Sequence, residues 1–163
     1  MKKVLVVMGS DSDLKVMEKC VDRLKSFDIP TEVRICSAHR TPAVAEQLAE
    51  NAAAEGFGVI IAAAGKAAHL GGVLAAYTTL PVIGVPMATS VMGGMDSLLS
   101  IVQMPKGIPV ATVAIDGTDN AAILAAQMIA LSDDALAQKL AQFKADMAAE
   151  VTAKDEKVRA QFA

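Results

Sequence analysis

An imidazole and a guanidinium stand side by side in Ser37-Ala38-His39-Arg40-Thr41-Pro42, the strongest chemical signal in the chain. His39 is the strong candidate for moving a proton near neutral pH. Arg40 offers a planar fork that can hold phosphate or carboxylate through two parallel hydrogen bonds. Two other stretches carry polar groups at telling positions. In Gly9-Ser10-Asp11-Ser12-Asp13 the backbone N–H groups, if they open a helix, can receive a phosphate or a hydroxyl-bearing ligand. Asp13 could alternatively accept hydrogen bonds from ribose hydroxyls. Lys66 and His69 lie in the third, Gly65-Lys66-Ala67-Ala68-His69-Leu70-Gly71-Gly72. Plainer readings stand beside these. Ser10, Asp11 and Asp13 could be helix caps, His69 a structural histidine, and Cys36 a packed core thiol rather than a nucleophile. Met87, Met92 and Met95 read as pliable packing or subunit contact.

The elements around these stretches decide what they can do. Val4–Met8 is a continuous apolar run of strand length, as a parallel strand buried on both faces requires. Leu14, Met17, Val21 and Leu24 then recur at helical spacing until Asp28-Ile29-Pro30. A second strand over Thr31–Cys36 runs into the His39-Arg40 turn. Thr41 is placed to cap the next helix, Pro42 to about Glu55, with Pro42 in its first turn and Val44 and Leu48 inward. Val59–Ala64 is a third strand, followed by the glycine-containing turn and a short apolar helix to about Tyr77. Pro81–Pro86 is a fourth, followed by a Met/Gly/Ser loop and a helix through Asp96–Val102. Val110–Ile115 is a fifth, followed by a helix from Asn120 to Leu131. Five strands alternating with helices predict a three-layer α/β domain on a parallel sheet. With the first strand central, the three polar turns meet at the switch point, where ligands bind in such sheets.

Residues 1–132 are expected to form this three-layer α/β domain, the part that would carry any catalysis. Residues 133–163 differ: Leu136, Leu140, Phe143, Met147 and Val151 keep helical spacing in an otherwise polar tail. A long amphipathic helix with no sheet face left to cover is expected to dock on a neighbouring subunit.

Composition sets the limits. The 163 residues suit one domain with a real core. Hydrophobic residues make up 53% of the chain and aromatics only 3%, so the apolar mass is Ala, Val, Ile, Leu and Met. Polar or breaking residues interrupt each apolar run before the roughly 20 residues of a membrane span. The excess is therefore expected between subunits of a homo-oligomer. A net charge of −3 and scarce aromatics argue against nucleic acid and anionic membrane as partners. The short run after Met1-Lys2-Lys3 lacks the length and cleavage site of a signal peptide, which points to the cytoplasm. Cys20 and Cys36 have neither metal-ligand spacing nor reason to pair there. The same turns exclude other α/β classes. For a flavin they offer no aromatic except Tyr77, which falls on a helix, the third strand ends Ala64-Gly65 rather than in a phosphoacceptor Asp, and Gly9-Ser10-Asp11-Ser12-Asp13 is not a dinucleotide fingerprint.

Four motifs in register resemble the PurE family, the bacterial N5-carboxyaminoimidazole ribonucleotide mutases of de novo purine synthesis. They are Val7-Met8-Gly9-Ser10-Asp11-Ser12-Asp13, Ser37–Pro42, Ala67-Ala68-His69-Leu70 and Asp96–Pro109. The resemblance runs from about Val4 to near Leu131. It implies a flavodoxin-like fold, a homo-octamer with sites at subunit junctions, no metal or organic cofactor, and a phosphoribosyl aminoimidazole as substrate. It also implies that His39 is the general acid/base of a carboxyl shift through trapped CO₂. Ser10, Asp13 and Arg40 would be ligands to the ribose phosphate, with Arg40 and Ser37 the preferred phosphate donors. Gly9, Ser12 and Ala38 complete those turns, and Gly65, Lys66, Ala67, His69 and Leu70 would line the base and CO₂ pocket. The chain departs from the family in one turn, where Lys66 and Gly71 replace a usual Gly and Pro. Lys66 puts a cation near the expected carboxylate, leaving two roles open: carboxylate binding or a solvent-facing side chain. A related animal-type carboxylase that uses free CO₂ has an Arg-containing sequence in this turn. Direct carboxylation, or a nucleotide-binding module without turnover, are the alternatives.

Overall fold

Alternation along the first strand, β1 (Lys3–Met8), sets up both sides of the molecule. Val4, Val6 and Met8 point to one face and Leu5 and Val7 to the other, and all are buried. The computed structural model describes residues 1–163. It adds β2 (Thr31–Ile35), β3 (Phe57–Ala64), β4 (Val82–Pro86) and β5 (Ala111–Thr112), all parallel, in the order β2-β1-β3-β4-β5. The helices are α1 (Leu14–Ser26), α2 (Pro42–Ala52), α3 (Leu70–Tyr77), α4 (Met95–Val102), α5 (Thr118–Ala130) and α6 (Asp134–Gln161).

Two cores result. Met17, Cys20 and Leu24 of α1 and the alanines of α5 cover Val4, Val6, Val59, Ile61 and Ile83. On the opposite face, Ala45, Ala49 and Ala52 of α2, Leu70 and Leu74 of α3 and Ile101 of α4 cover Leu5, Val7, Ile60, Ala62 and Val82. This is the three-layer, doubly wound arrangement expected from the strand-helix alternation.

Several local expectations are corrected. The central strand is β3, not β1. Since β1 sits between β2 and β3, its turn still neighbours both of the others. Val44 is 36% exposed, and the inward face of α2 is the alanine row Ala45, Ala49 and Ala52. Small side chains let this helix lie close to the sheet, which turns the larger Val44 outward. Leu14 is 43% exposed because the first turn of α1 stands at the sheet's C-terminal edge; the buried row is Met17, Cys20 and Leu24. The fifth strand shrinks to Ala111–Thr112, although Val113 N–H still bonds Gly84 C=O at 3.1 Å and Asp116 N–H bonds Pro86 C=O at 2.9 Å.

The long C-terminal helix divides. Leu136 is buried, and Leu140 and Phe143 pack on the chain's own core. The ring of Phe143 meets Phe27 edge-on at 5.4 Å, with the Arg23 guanidinium 4.7 Å above it. Arg23 also bonds Asp119 at 2.7 Å, tying α1, α5 and α6 together. Beyond Asp146 the helix is exposed.

Candidate active site

All strands run the same way, so their C-terminal ends open on one side of the sheet. The turn after β1 begins with Gly9, whose N–H bonds Ala63 C=O at 3.0 Å. Ser10 caps a single 3₁₀ turn, Asp11–Asp13, by accepting from Ser12 N–H at 3.3 Å. The capping reading of Ser10 therefore holds, while Ser12 Oγ donates to Asp13 at 3.3 Å. Asp13 is held above the ordinary carboxylate value, chiefly because burial disfavours its charge, with Asp116 and Asp11 adding repulsion against the opposing bond from Ser12.

The turn after β2 is closed by Thr41, but not as a helix cap. Its side chain makes no cap hydrogen bond. Instead Thr41 Oγ1 accepts from Ser37 N–H and donates to Ser37 C=O, both at 3.0 Å. The hydroxyl is thereby spent on the loop, leaving the entry of α2 to Pro42. Within this clasp, Arg40 N–H and Nε–H both reach Ser37 Oγ, at 3.1 and 3.4 Å, and Arg40 Nη2 donates to Gly9 C=O at 3.3 Å. The guanidinium thus bridges the first two turns and keeps further N–H groups free for a ligand. Cys36, just before, is a buried free thiol as the plain reading had it.

The turn after β3 brings the second histidine across. His39 Nε2 and His69 Nδ1 share a hydrogen bond of 2.8 Å, with the rings nearly perpendicular at 77°. His69 sits at the N-cap of α3, and Lys66 has a left-handed backbone, φ +57°. His69 is therefore part of this polar constellation and not an isolated structural residue.

One cavity of ≈ 610 Å³ gathers these turns. Gly9, Ser10, Ser12 and Asp13 line it from β1. Ser37, Ala38, His39 and Arg40 line it from β2, and Gly65, Lys66, Ala67, His69 and Leu70 from β3. The structure therefore brings together every residue expected to touch the substrate. Sequence reasoning missed a fourth wall, Ala88, Thr89 and Ser90 after β4, with Met87 beneath it. Met87 is buried packing, as expected of it. The missed signal was strand order: β4 lies beside β3, so its C-terminal end must open on the same side. Thr89 Oγ1 donates to Asp96 at 2.8 Å and Ala88 N–H bonds Asp116 at 2.9 Å, which fixes that wall. Asp11 faces a smaller neighbouring cavity of ≈ 370 Å³, on the other side of Arg40. Nowhere does a group of three or more His, Cys, Asp or Glu side chains stand close enough to hold a metal ion. No helix is long and apolar enough to cross a membrane.

Sheet and cavity together define the class: a doubly wound, flavodoxin-like α/β protein with a polar pocket over its switch point. Within that class the chain belongs to the AIR carboxylase family, whose model matches residues 3–150. It is 52% identical over 159 residues to the N5-carboxyaminoimidazole ribonucleotide mutase of Methanocaldococcus jannaschii, covering 98% of this chain and 99% of that one. It is 53% identical over 153 residues to the mutase of the same name from Mycobacterium leprae, covering 94% and 90%. The crystal structure of Treponema denticola PurE matches with a TM-score of 0.87 at 30% identity, covering 94% of this chain and 96% of that one.

Proposed function

We infer that this chain is an isomerase that converts N5-carboxyaminoimidazole ribonucleotide to 4-carboxy-5-aminoimidazole ribonucleotide in purine biosynthesis. The match to mutases along nearly the whole chain supports the reaction. The observation that carries the site is the His39–His69 hydrogen bond of 2.8 Å inside a cavity that also holds Arg40. In this reading His39 begins as the imidazolium and donates its proton to the exocyclic nitrogen. The N–C bond of the carbamate breaks, and CO₂ is released into the pocket. Ring carbon four then attacks CO₂, a C–C bond forms, and neutral His39 removes the proton from that carbon. The proton count closes, and the imidazole ends as it began. Arg40, Ser37, Ser10 and the N–H groups of the first turn hold the ribose phosphate. Asp13 takes the ribose. Ala67, Leu70 and the turn backbone keep CO₂ from water.

A homo-octamer in the cytoplasm, with sites at subunit junctions, belongs with this proposal. The exposed apolar residues Val91, Met92, Met95 and Leu99 near the fourth wall, and Val151 and Val158 on α6 with Phe162 just past its end, support an assembly.

The test is to incubate the protein with the carbamate ribonucleotide, and separately with the uncarboxylated nucleotide plus bicarbonate. Rapid conversion of the first without added bicarbonate is expected. Product formed only with bicarbonate would mean direct carboxylation instead. His39→Asn should reduce turnover by about 10²–10⁴ while nucleotide binding persists. Unchanged turnover would remove His39 from the mechanism.

A further inference from the structure

Lys66 holds a backbone conformation that L residues avoid, φ +57°, at a turn where glycine would be free of strain. Such strain persists only when surrounding structure enforces it. Here Ala67 and His69 continue the cavity wall beyond the strained residue. The side chain enters none of the molecule's ion pairs, although the residue lines the cavity. The other cation in that cavity, Arg40, comes from the turn after β2, and β1 lies between β2 and β3. Two strand spacings separate the two turns, about 10 Å. The cavity therefore draws a cation from each of two walls, Arg40 from the turn after β2 and Lys66 from the turn after β3. A ligand that carries both a phosphate and a carboxylate would use both cations.

We propose that Lys66 is the carboxylate-recognising residue of this site, holding the migrating carboxyl group while Arg40 and Ser37 hold the phosphate. The assignment rests on the function inferred above. The residue type suits the task. A carboxylate that starts on nitrogen and finishes on ring carbon changes position, and an ammonium on a flexible four-carbon stem can follow it, where a rigid guanidinium fork would favour one geometry. Specificity for the carboxylated nucleotide over its decarboxylated form then comes from this charge.

The experiment compares dissociation constants, by calorimetry, of the 4-carboxylated product nucleotide and of 5-aminoimidazole ribonucleotide, which lacks the carboxylate. Lys66→Met should weaken the first about five- to tenfold and leave the second nearly unchanged. Lys66→Arg should restore much of the loss. Lys66→Gly, which accepts the same φ without strain, should behave as Lys66→Met and guards against a folding defect. Equal losses for both nucleotides, or no loss for either, would overturn the proposal while leaving the mutase reading intact. Failure of the unaltered protein to bind either nucleotide would overturn both.

Discussion

His39 and His69 face each other across a single hydrogen bond, so one proton lies between their nitrogens. When His39 is the imidazolium, its Nε2–H must be the donor, and His69 must keep Nδ1 unprotonated and carry its own proton on Nε2. His69 thus orients the proton carrier. A hydrogen bond to a charged group contributes about 1.5–3 kcal/mol. His69→Phe, which keeps the ring but loses the acceptor, should lower kcat about ten- to a hundredfold, measured by product formation at saturating substrate. Asp13 makes a different prediction. Burial first, then Asp116 and Asp11, raise its folded-state value above the ordinary 3.8. The folded state therefore holds this proton more tightly than the unfolded chain does, and stability falls as pH rises from about the unfolded value through the folded one. Asp13→Asn removes that penalty. It should raise the thermal midpoint at pH 7, with the gain vanishing below the ordinary carboxylate range, while weakening nucleotide binding. A midpoint difference independent of pH would show that charge burial is not its cause.

At the scale of elements, the site depends on helices that alternate sides so that consecutive strand ends open together. Close packing of α4 on the sheet fixes the fourth wall. Gly84 in β4 lies under α4, where an added Cβ would overlap the Cγ2 of Ile101 and come within 2.9 Å of Val110 Cγ1. Ile101 is β-branched and buried in a helix, so it cannot turn aside. Gly84→Ala should therefore cost about 1–3 kcal/mol in a denaturant titration, from overpacking. It should also displace Ser97, whose Oγ donates to Met87 C=O at 2.7 Å and holds the loop after β4. The strands were legible because buried parallel strands are continuous apolar runs, and Val4–Met8 and Val59–Ala64 are such runs. Helix faces were less so. In α2 the alanines that approach the sheet carry too little hydrophobic signal to outweigh Val44, and only the packing distance decides which row turns inward.

For the whole molecule, α6 joins a packed half to an unpartnered one. Its first turns are tied down by Leu136, Leu140 and Phe143, and by Lys139 paired with Asp28. Past Asp146, Met147, Val151, Val158 and Phe162 fall along one stripe with no partner in the chain. A chain ending after Asp146 should keep its cooperative thermal unfolding but show fewer subunits per particle by light scattering than the full chain. A chain ending at Asp133 should in addition lose about 3–5 kcal/mol, because it strips Leu136 and Phe143 from the core. An unchanged number of subunits for either truncated chain would place the subunit contacts elsewhere, at the exposed methionines near the fourth wall.

The residue pattern alone determined the parallel sheet, the turn that carries His39 and Arg40, and the turn that carries His69. Each of these is written in local pattern: apolar runs, breakers and caps act over a few residues. Tertiary structure alone decided that His39 and His69 share a proton site, that Thr41 clasps its own loop instead of capping α2, and that Ala88 to Ser90 close the cavity. Those outcomes join residues far apart in the chain or set one hydroxyl's two bonding options against each other. Only the order of strands and the distances between them, fixed by packing, can settle such choices.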